Sequence, residues 1–277
     1  VDLAILIVPR NYVLPIVKEC GKKGVGGVVV LTAGFREVNE AGKELEEKVL
    51  HVVRKYGMRM VGPNCMGIIN TDPNVRLDGT FAPDFPTRGN IAFLSQSGAL
   101  GVAIISSTKQ YNLGMSMFIS VGNKADVSGN DLIEYWEEDP DVDVILLYLE
   151  SFGNPNGFTQ IAKRVSKKKP IIAVKSGRTI AGAKAASSHT GAIAGTDIAV
   201  DAIMDQCGII RAASIQEMFE LAVAFSRKKY PKGNRVGILT NGGGPAIMAA
   251  DACNGAGLEV PTLSKKTQRK IRRYLPA

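Results

Sequence analysis

The stretch Val144-Ile145-Leu146-Leu147 is apolar at every position, and this pattern indicates the class of fold. The stretch Val28-Val29-Val30-Leu31 has the same character near the start of the chain. Strands without polar alternation are typical of parallel sheets that helices cover on both faces. Because amphipathic segments of helical period alternate with such strands, the sequence predicts an α/β protein with doubly wound parallel sheets.

The alternation of strands and helices continues along the chain. Two stretches interrupt it, the proline-containing segment 72–89 and the polar segment 228–234. We therefore expect a partial Rossmann-like unit over 1–86, a second unit over 87–230 and a truncated third unit over 231–277. Predicted strands span 3–8, 26–31, 58–62, 90–94, 115–120, 142–149, 171–175, 208–211 and 234–240. Predicted helices span 11–23, 41–56, 98–111, 129–138, 155–168, 195–206, 214–228 and 244–255.

The composition is that of a globular protein with a basic balance, since 45% of the 277 residues are hydrophobic and the net charge is +8. The basic runs 167–169, 227–229 and 265–273 line or end predicted helices, so solvated helix faces explain them. They lack the interleaved aromatics of a nucleic-acid surface, and no apolar run reaches the ~20 residues of a membrane span. We expect neither a nucleic-acid nor a membrane partner, whereas a small polyanion such as a nucleotide or coenzyme A suits the charge.

The cysteines Cys20, Cys65, Cys207 and Cys253 lie far apart, which argues against a zinc ribbon or a disulfide scaffold. Free thiols fit a reducing cytoplasm. No group of residues has the spacing of metal ligands, so we expect no metal site. The chain begins inside a predicted strand without an initiator Met or a basic leader, so we expect a fragment rather than a signal peptide.

Two predicted strand-to-helix junctions are rich in small polar residues. Unpaired amides and the helix dipole make such junctions suitable for binding anions. The alternative is that glycine and serine only permit tight turns, but two such junctions in one chain favour phosphate. The predicted phosphate-binding residues are Ser95, Ser97 and Gly98 at the first junction and Asn241, Gly242, Gly243 and Gly244 at the second.

The segment 184–197 consists almost wholly of small residues around His189, one of two histidines. A mobile surface loop is one interpretation, and a loop that presents a reactive imidazole is the other. Glu150 follows the predicted strand 142–149, where its carboxylate could orient the imidazole and make its free nitrogen a better nucleophile. Glu150 could equally cap a turn, and spacing alone leaves both readings open. The other histidine, His51, lies in a charged amphipathic segment and fits a packed or surface position.

Five ordered motifs carry a family resemblance, at residues 62–67, 94–100, 121–127, 188–192 and 241–245. Together they resemble the alpha-type portion of the NDP-forming, chiefly ADP-forming, acyl-CoA synthetases, which are relatives of succinyl-CoA synthetase. The resemblance implies that the first predicted unit is the C-terminal part of a CoA-binding Rossmann-like domain. The second unit would be a flavodoxin-like ligase domain with a phosphohistidine loop, and the third would begin a further flavodoxin-like domain.

The resemblance also implies an activity, the interconversion of acyl-CoA, phosphate and ADP with a carboxylic acid, CoA and ATP. His189 would be phosphorylated by an acyl phosphate, Glu150 would stabilise the phosphohistidine, and the two junctions would hold the phosphoryl group. ADP or ATP and Mg²⁺ would bind to an ATP-grasp subunit or domain that this chain lacks, and the complete enzyme would be an oligomer. The residues that would contact CoA are Val8, Pro9, Leu31, Thr32, Ala33 and Asn64.

The sequence departs from the succinate enzymes of this group in two places. Val102 stands about where those enzymes carry a tyrosine, and the histidine motif reads Ser188-His189-Thr190-Gly191. A monocarboxylate such as acetate, an aryl acid or a branched-chain acid is therefore expected. The alternative function is a CoA-binding regulatory module of a fused protein lysine acetyltransferase, but retention of the histidine favours the ligase. A Rossmann oxidoreductase is disfavoured because Ile247 interrupts the dinucleotide fingerprint.

Overall fold

The computed structural model describes residues 1–179, 181–182, 197–227 and 230–274. The chain divides into two compact units, Val1–Lys228 and Lys229–Ala277. Within its described residues, the first unit contains a three-stranded sheet and a seven-stranded sheet. No helix in the described ranges is long and apolar enough to cross a membrane.

The smaller sheet is wholly parallel, and its strands follow one another in the order β1-β2-β3. Alternate residues of the central strand enter different cores: Val28 and Val30 pack with one cluster, whereas Val29 packs with another. Burial on both faces explains why this stretch shows no polar alternation. The elements of the smaller sheet are β1 (Leu3–Leu6), α1 (Arg10–Lys22), β2 (Gly27–Val30), α2 (Glu40–Lys55) and β3 (Arg59–Val61).

The larger sheet has the strand order β10-β9-β8-β6-β7-β4-β5. The pairs from β10 to β7 are parallel, while β4 pairs antiparallel with both β7 and β5. Its strands are β4 (Gly67–Asn70), β5 (Leu77–Thr80), β6 (Arg88–Ser95), β7 (Met115–Ser120), β8 (Val144–Leu149), β9 (Ile171–Lys175) and β10 (Ile210–Arg211). Its helices are α3 (Gly98–Thr108), α4 (Gly129–Glu138), α5 (Pro155–Val165), α6 (Asp197–Cys207) and α7 (Ile215–Ser226).

Strand β8 is covered on both faces, as its apolar sequence predicts. Ile145 and Leu147 pack into the cluster that contains Trp136, whereas Val144 and Leu146 pack into the opposite cluster with Phe219. Full burial of each such side chain is worth about 1.5–3 kcal/mol. The prediction of an α/β fold with parallel sheets covered by helices is therefore confirmed.

Two short strands, β4 and β5, were not predicted. The segment 72–89 was expected only to interrupt the alternation of strands and helices, yet it contains β5, and β4 joins that strand to the edge of the larger sheet. Both strands are short and contain glycine, so their pairing depends on the neighbouring strand rather than on local preference. Residues 67–80 thus belong to the larger sheet. The expected boundary at residue 86 stays a prediction.

The second unit contains two helices within its described residues, α8 (Gly243–Gly255) and α9 (Lys265–Ile271). The strand predicted over 234–240 is wrong, since only an isolated parallel bridge between Arg235 and Glu259 forms there. A parallel strand needs an adjacent strand that pairs with it along its length. In the described part of this unit, the segment 234–240 is paired at a single position.

Candidate active site

The junction between β6 and α3 is built by its serines. Ser95 is buried, and its hydroxyl donates to the carbonyl oxygen of Ser97 (2.7 Å) and accepts from the Ser97 N–H (3.2 Å). Ser97 is the N-cap of α3, where its Oγ accepts from the N–H of Leu100 (3.4 Å). The helix begins at Gly98, whose amide belongs to the first turn and has no partner further back in the helix. This geometry suits an anion, and the role of the three predicted residues in binding phosphate stays a prediction.

Gln96 joins this junction to the turn that follows β8. Its Oε1 accepts from the backbone N–H of Glu150 (2.8 Å) and of Ser151 (2.9 Å). Its Nε2 donates to the carbonyl oxygen of Ser151 (2.8 Å). The structure therefore places Glu150 beside the start of α3, as expected for the carboxyl ends of adjacent parallel strands. Gln96 is not among the site residues predicted from the sequence, although it stands between Ser95 and Ser97.

Lys124 is a second residue that the sequence analysis missed. Its Nζ donates to Ser151 Oγ (2.7 Å) and lies 3.4 Å from the Ser151 carbonyl oxygen. Burial lowers the pKa of Lys124 to about 8, although the nearby charge of Glu150 opposes the shift. Lys175, at the end of β9, also has a pKa lowered by burial, again opposed by Glu150. Glu150 thus lies within electrostatic reach of two partly buried lysines.

A cleft of about 970 Å³ opens beside these groups. It lies between the two sheets of the first unit, because Asn64 follows the smaller sheet whereas Gln96 and Glu150 follow strands of the larger one. Asn123 and Lys124 also line the cleft. Its volume is within the range typical of small-molecule sites, and several of its polar groups converge near Glu150.

The residues predicted to contact CoA meet at one edge of the smaller sheet. The Thr32 hydroxyl donates to the carbonyl oxygen of Val8 (2.8 Å) and lies 3.3 Å from the Val8 N–H, which donates to it. The N–H of Asn64 donates to the carbonyl oxygen of Thr32 (3.0 Å). The structure therefore brings together the loops that follow β1, β2 and β3.

The other three predicted CoA contacts occupy the same loops. Leu31 is buried and packs with Val29 and Cys65, so only its backbone is suited to touch a ligand. Pro9 is the N-cap of α1 and makes no capping hydrogen bond through its side chain. Ala33 is the residue after Thr32 in the loop that follows β2. Ligand contact by these residues stays a prediction.

The second junction lies in the second unit. Gly242 is the N-cap of α8, and its N–H donates to Thr240 Oγ1 (3.1 Å). A side chain at Gly243 or Gly244 would meet no atom within 4 Å, so the backbone is open to a ligand there. The helix start is confirmed, and phosphate binding by Asn241 and the three glycines stays a prediction.

His189 lies outside the described residues, so its contact with Glu150 stays a prediction. His51 is exposed on α2, which is the second of the two positions expected for it, packed or at the surface. Among the residues that the structure describes, no group of three or more His, Cys, Asp or Glu side chains could hold a metal ion.

The comparisons with known proteins cover both sheets. Residues 1–71 match the family model described as a CoA binding domain, and residues 88–225 match the succinyl-CoA ligase like flavodoxin domain. The alpha subunit of the ADP-forming acetate–CoA ligase II of Pyrococcus furiosus is 46% identical over 276 residues, which are 100% of this chain and 60% of that subunit. The ADP-forming 4-hydroxybutyrate–CoA ligase of Nitrosopumilus maritimus is 39% identical over 278 residues, covering 100% of this chain and 40% of that ligase.

A solved structure is similar over the whole chain. It is the dinucleotide-forming acetyl-coenzyme A synthetase 1 of Ca. Korarchaeum cryptofilum in complex with phosphate and ADP, with a TM-score of 0.91 and 41% identity. The similarity covers 100% of this chain and 59% of that chain, so the present chain spans about 60% or less of these relatives. The chain belongs to the family of ADP-forming acyl-CoA synthetases, whose CoA-binding and succinyl-CoA ligase-like domains it carries.

Proposed function

We propose that this chain is the part of an ADP-forming acyl-CoA synthetase that releases CoA from acyl-CoA and accepts a phosphoryl group on His189. The observation that carries the proposal is the bridge made by Gln96 between the Glu150 turn and the start of α3. This bridge holds the backbone of Glu150 next to a helix N-terminus, where a phosphoryl group and a phosphorylated imidazole would meet.

The proposed reaction has three transfers. An oxygen of phosphate attacks the thioester carbonyl carbon, the C–S bond breaks, and CoA leaves as a thiolate to form the acyl phosphate. A ring nitrogen of His189 then attacks phosphorus, the P–O bond to the acyl group breaks, and the carboxylate leaves. The phosphoryl group finally passes to ADP and yields ATP.

The residues of this chain would stabilise charge during these transfers. The amides at Gly98, together with those at Asn241, Gly242, Gly243 and Gly244, would hold the phosphoryl oxygens at helix starts. Glu150 would accept a hydrogen bond from the unphosphorylated ring nitrogen of His189 and stabilise the positive imidazole. The CoA contacts would come from the loops that contain Val8, Pro9, Leu31, Thr32, Ala33 and Asn64.

The nucleotide would bind elsewhere. We assign ADP or ATP and Mg²⁺ to an ATP-grasp subunit or domain, as the family resemblance implies. The name of the Pyrococcus furiosus relative, subunit alpha, supports a second subunit, and the Korarchaeum structure contains both phosphate and ADP. The complete enzyme would be an oligomer that works in the cytoplasm.

The acid is proposed to be a monocarboxylate. Relatives named for acetate and 4-hydroxybutyrate are 46% and 39% identical over the whole chain. A relative named for succinate, from Trichomonas vaginalis, is 28% identical over 69% of the chain. These relatives are all ligases, so they support the ligase and lend nothing to the acetyltransferase alternative.

The proposed function is tested by labelling the complete wild-type enzyme with radioactive phosphate in the presence of acetyl-CoA. We expect an acid-labile, alkali-stable label on the protein, because phosphohistidine hydrolyses in acid. Addition of ADP should remove the label and form labelled ATP. An enzyme that releases CoA without acquiring any label, or one whose label withstands acid, would contradict a phosphohistidine intermediate.

Thr32→Val is expected to weaken CoA binding by about three- to tenfold, or about 0.7–1.4 kcal/mol. The substitution removes both hydrogen bonds between the Thr32 hydroxyl and Val8, so the two loops that would contact CoA are held together less firmly. Isothermal titration of the complete enzyme with CoA measures the effect. Thr32→Ser keeps the hydroxyl and is the control, so equal losses in the two variants would show that the hydrogen bonds do not matter.

A further inference from the structure

The loop that carries Lys124 is fastened to the smaller sheet. The N–H of Asn123 donates to the carbonyl oxygen of Pro63 (2.9 Å), and the N–H of Ala125 donates to that of Gly62 (3.2 Å). The side-chain amide of Asn123 also donates to Glu37 Oε2 (2.6 Å), which precedes α2. The backbone position of Lys124 is therefore set by the smaller sheet, although the loop follows strand β7 of the larger one.

The side chain of Lys124 reaches from this loop to the turn that carries Glu150. Its ammonium bonds to Ser151 through both Oγ (2.7 Å) and the carbonyl oxygen (3.4 Å). The same carbonyl oxygen accepts from Gln96 Nε2, and Gln96 Oε1 accepts from the N–H of Glu150. The turn is thus held from two sides, by the neutral amide of Gln96 after β6 and by an ammonium whose loop is anchored on the smaller sheet.

The charged groups around this ammonium come from three other elements. They are Glu150 after β8, Lys175 at the end of β9 and Arg36 in the loop before α2. Burial is the main cause that lowers the pKa of Lys124, the two cations lower it further, and of these three charged groups only Glu150 raises it. A hydrocarbon side chain would avoid the desolvation of a buried charge. The charge therefore needs an explanation beyond packing.

We propose that Lys124 is the positioning residue for Glu150, so that its ammonium fixes the Glu150–Ser151 turn and supplies a positive charge next to the carboxylate. This role rests on the proposed function, since it matters only if Glu150 stabilises phosphorylated His189. Charge-assisted hydrogen bonds are about twice as strong as neutral ones, so a neutral amine would hold the turn less firmly. The loop of Lys124 is anchored on the loop that contains Asn64, so Lys124 connects the Glu150 turn to the side of the cleft that we assign to CoA.

The test compares Lys124→Met with wild type in the complete enzyme, by single-turnover phosphorylation of His189 from acetyl-CoA and phosphate. The variant is expected to phosphorylate up to about 100-fold more slowly, since a shift of about 1 Å in a catalytic group can have that effect. The KM for acetyl-CoA should stay unchanged. Lys167→Met, which alters an exposed lysine after α5, is the matched control and should label at the wild-type rate.

The pH dependence separates positioning by charge from a merely structural role. Wild type should lose its advantage over Lys124→Met as pH rises through about 8, because Lys124 then gives up its proton. Substrate titrations affect both proteins equally and cancel in the ratio of rates. Lys124→Arg, which keeps its charge throughout this range, should retain its rate at high pH.

Three outcomes are informative. A labelled wild type with an equally fast Lys124→Met variant would overturn the inference while leaving the proposed function intact. A slow variant whose ratio to wild type does not change with pH would show a structural role and would also overturn it. A wild type that acquires no label would overturn the proposed function, and the inference with it. The thermal midpoint of each variant checks that the fold is kept.

Discussion

The variant His189→Asn of the complete enzyme is expected to acquire no phosphoryl group from acetyl-CoA and phosphate, with overall turnover lower by about 10⁴-fold or more. The amide nitrogen of asparagine is not nucleophilic, so the acyl phosphate would have no acceptor. CoA binding should be retained, because the predicted contacts lie in the loops of the smaller sheet. Intact-protein mass spectrometry and titration with CoA measure the two effects.

The chain offers a matched control for this variant. It contains only two histidines, and His51 is exposed on α2. His51→Asn should therefore acquire the phosphoryl group as wild type does. Equal labelling of His189→Asn and wild type would refute the assignment of the nucleophile, whereas loss of CoA binding in a folded His189→Asn protein would contradict the separation of the two sites.

Gly122→Ala is expected to lower the free energy of unfolding by about 2–5 kcal/mol. Gly122 has a φ of 52°, and a Cβ there would lie 2.3 Å from the carbonyl oxygens of both Pro63 and Asn64. Because these are backbone atoms, the loop must move away from the smaller sheet, and it would carry Lys124 with it. Urea denaturation measures the loss of stability, and the phosphorylation rate should fall as well.

Gly57→Ala separates backbone strain from the clash. Gly57 also has a positive φ, 68°, but a Cβ there would meet no atom within 4 Å. Its substitution should cost only about 1–2 kcal/mol, the penalty for a left-handed backbone. If both variants lost the same stability, the close approach between the loop of Gly122 and the smaller sheet would be unimportant.

Several local features could be predicted from the sequence because local chemistry determines them. The apolar run Val144-Ile145-Leu146-Leu147 predicted a strand buried on both faces, and β8 is such a strand. The helix predicted over 98–111 begins at Gly98, and Ser97 caps it. The strand expected over 234–240 does not form. A strand depends on a neighbouring strand that pairs with it, and this dependence is not a local property of the sequence.

Glu150 was selected from the sequence because it follows an apolar strand, and its place at the shared sheet edge follows from the direction of parallel strands. Gln96 and Lys124 also follow strands of this sheet, but nothing in the sequence shows which partners their side chains reach. Each acts through hydrogen bonds to residues 27 to 55 positions away, and these depend on the order of strands in the sheet.

The sequence by itself determined most of the helices, the strands that are buried on both faces and the family, because periodicity and ordered motifs are properties of short segments. Only the tertiary structure decided that β4 and β5 extend the larger sheet and that the loop of Asn123 rests on the smaller one. It also decided that a lysine from this loop reaches Ser151, beside Glu150. The physical reason is that hydrogen bonds between distant segments form only once the strand order has brought them within about 3 Å of each other.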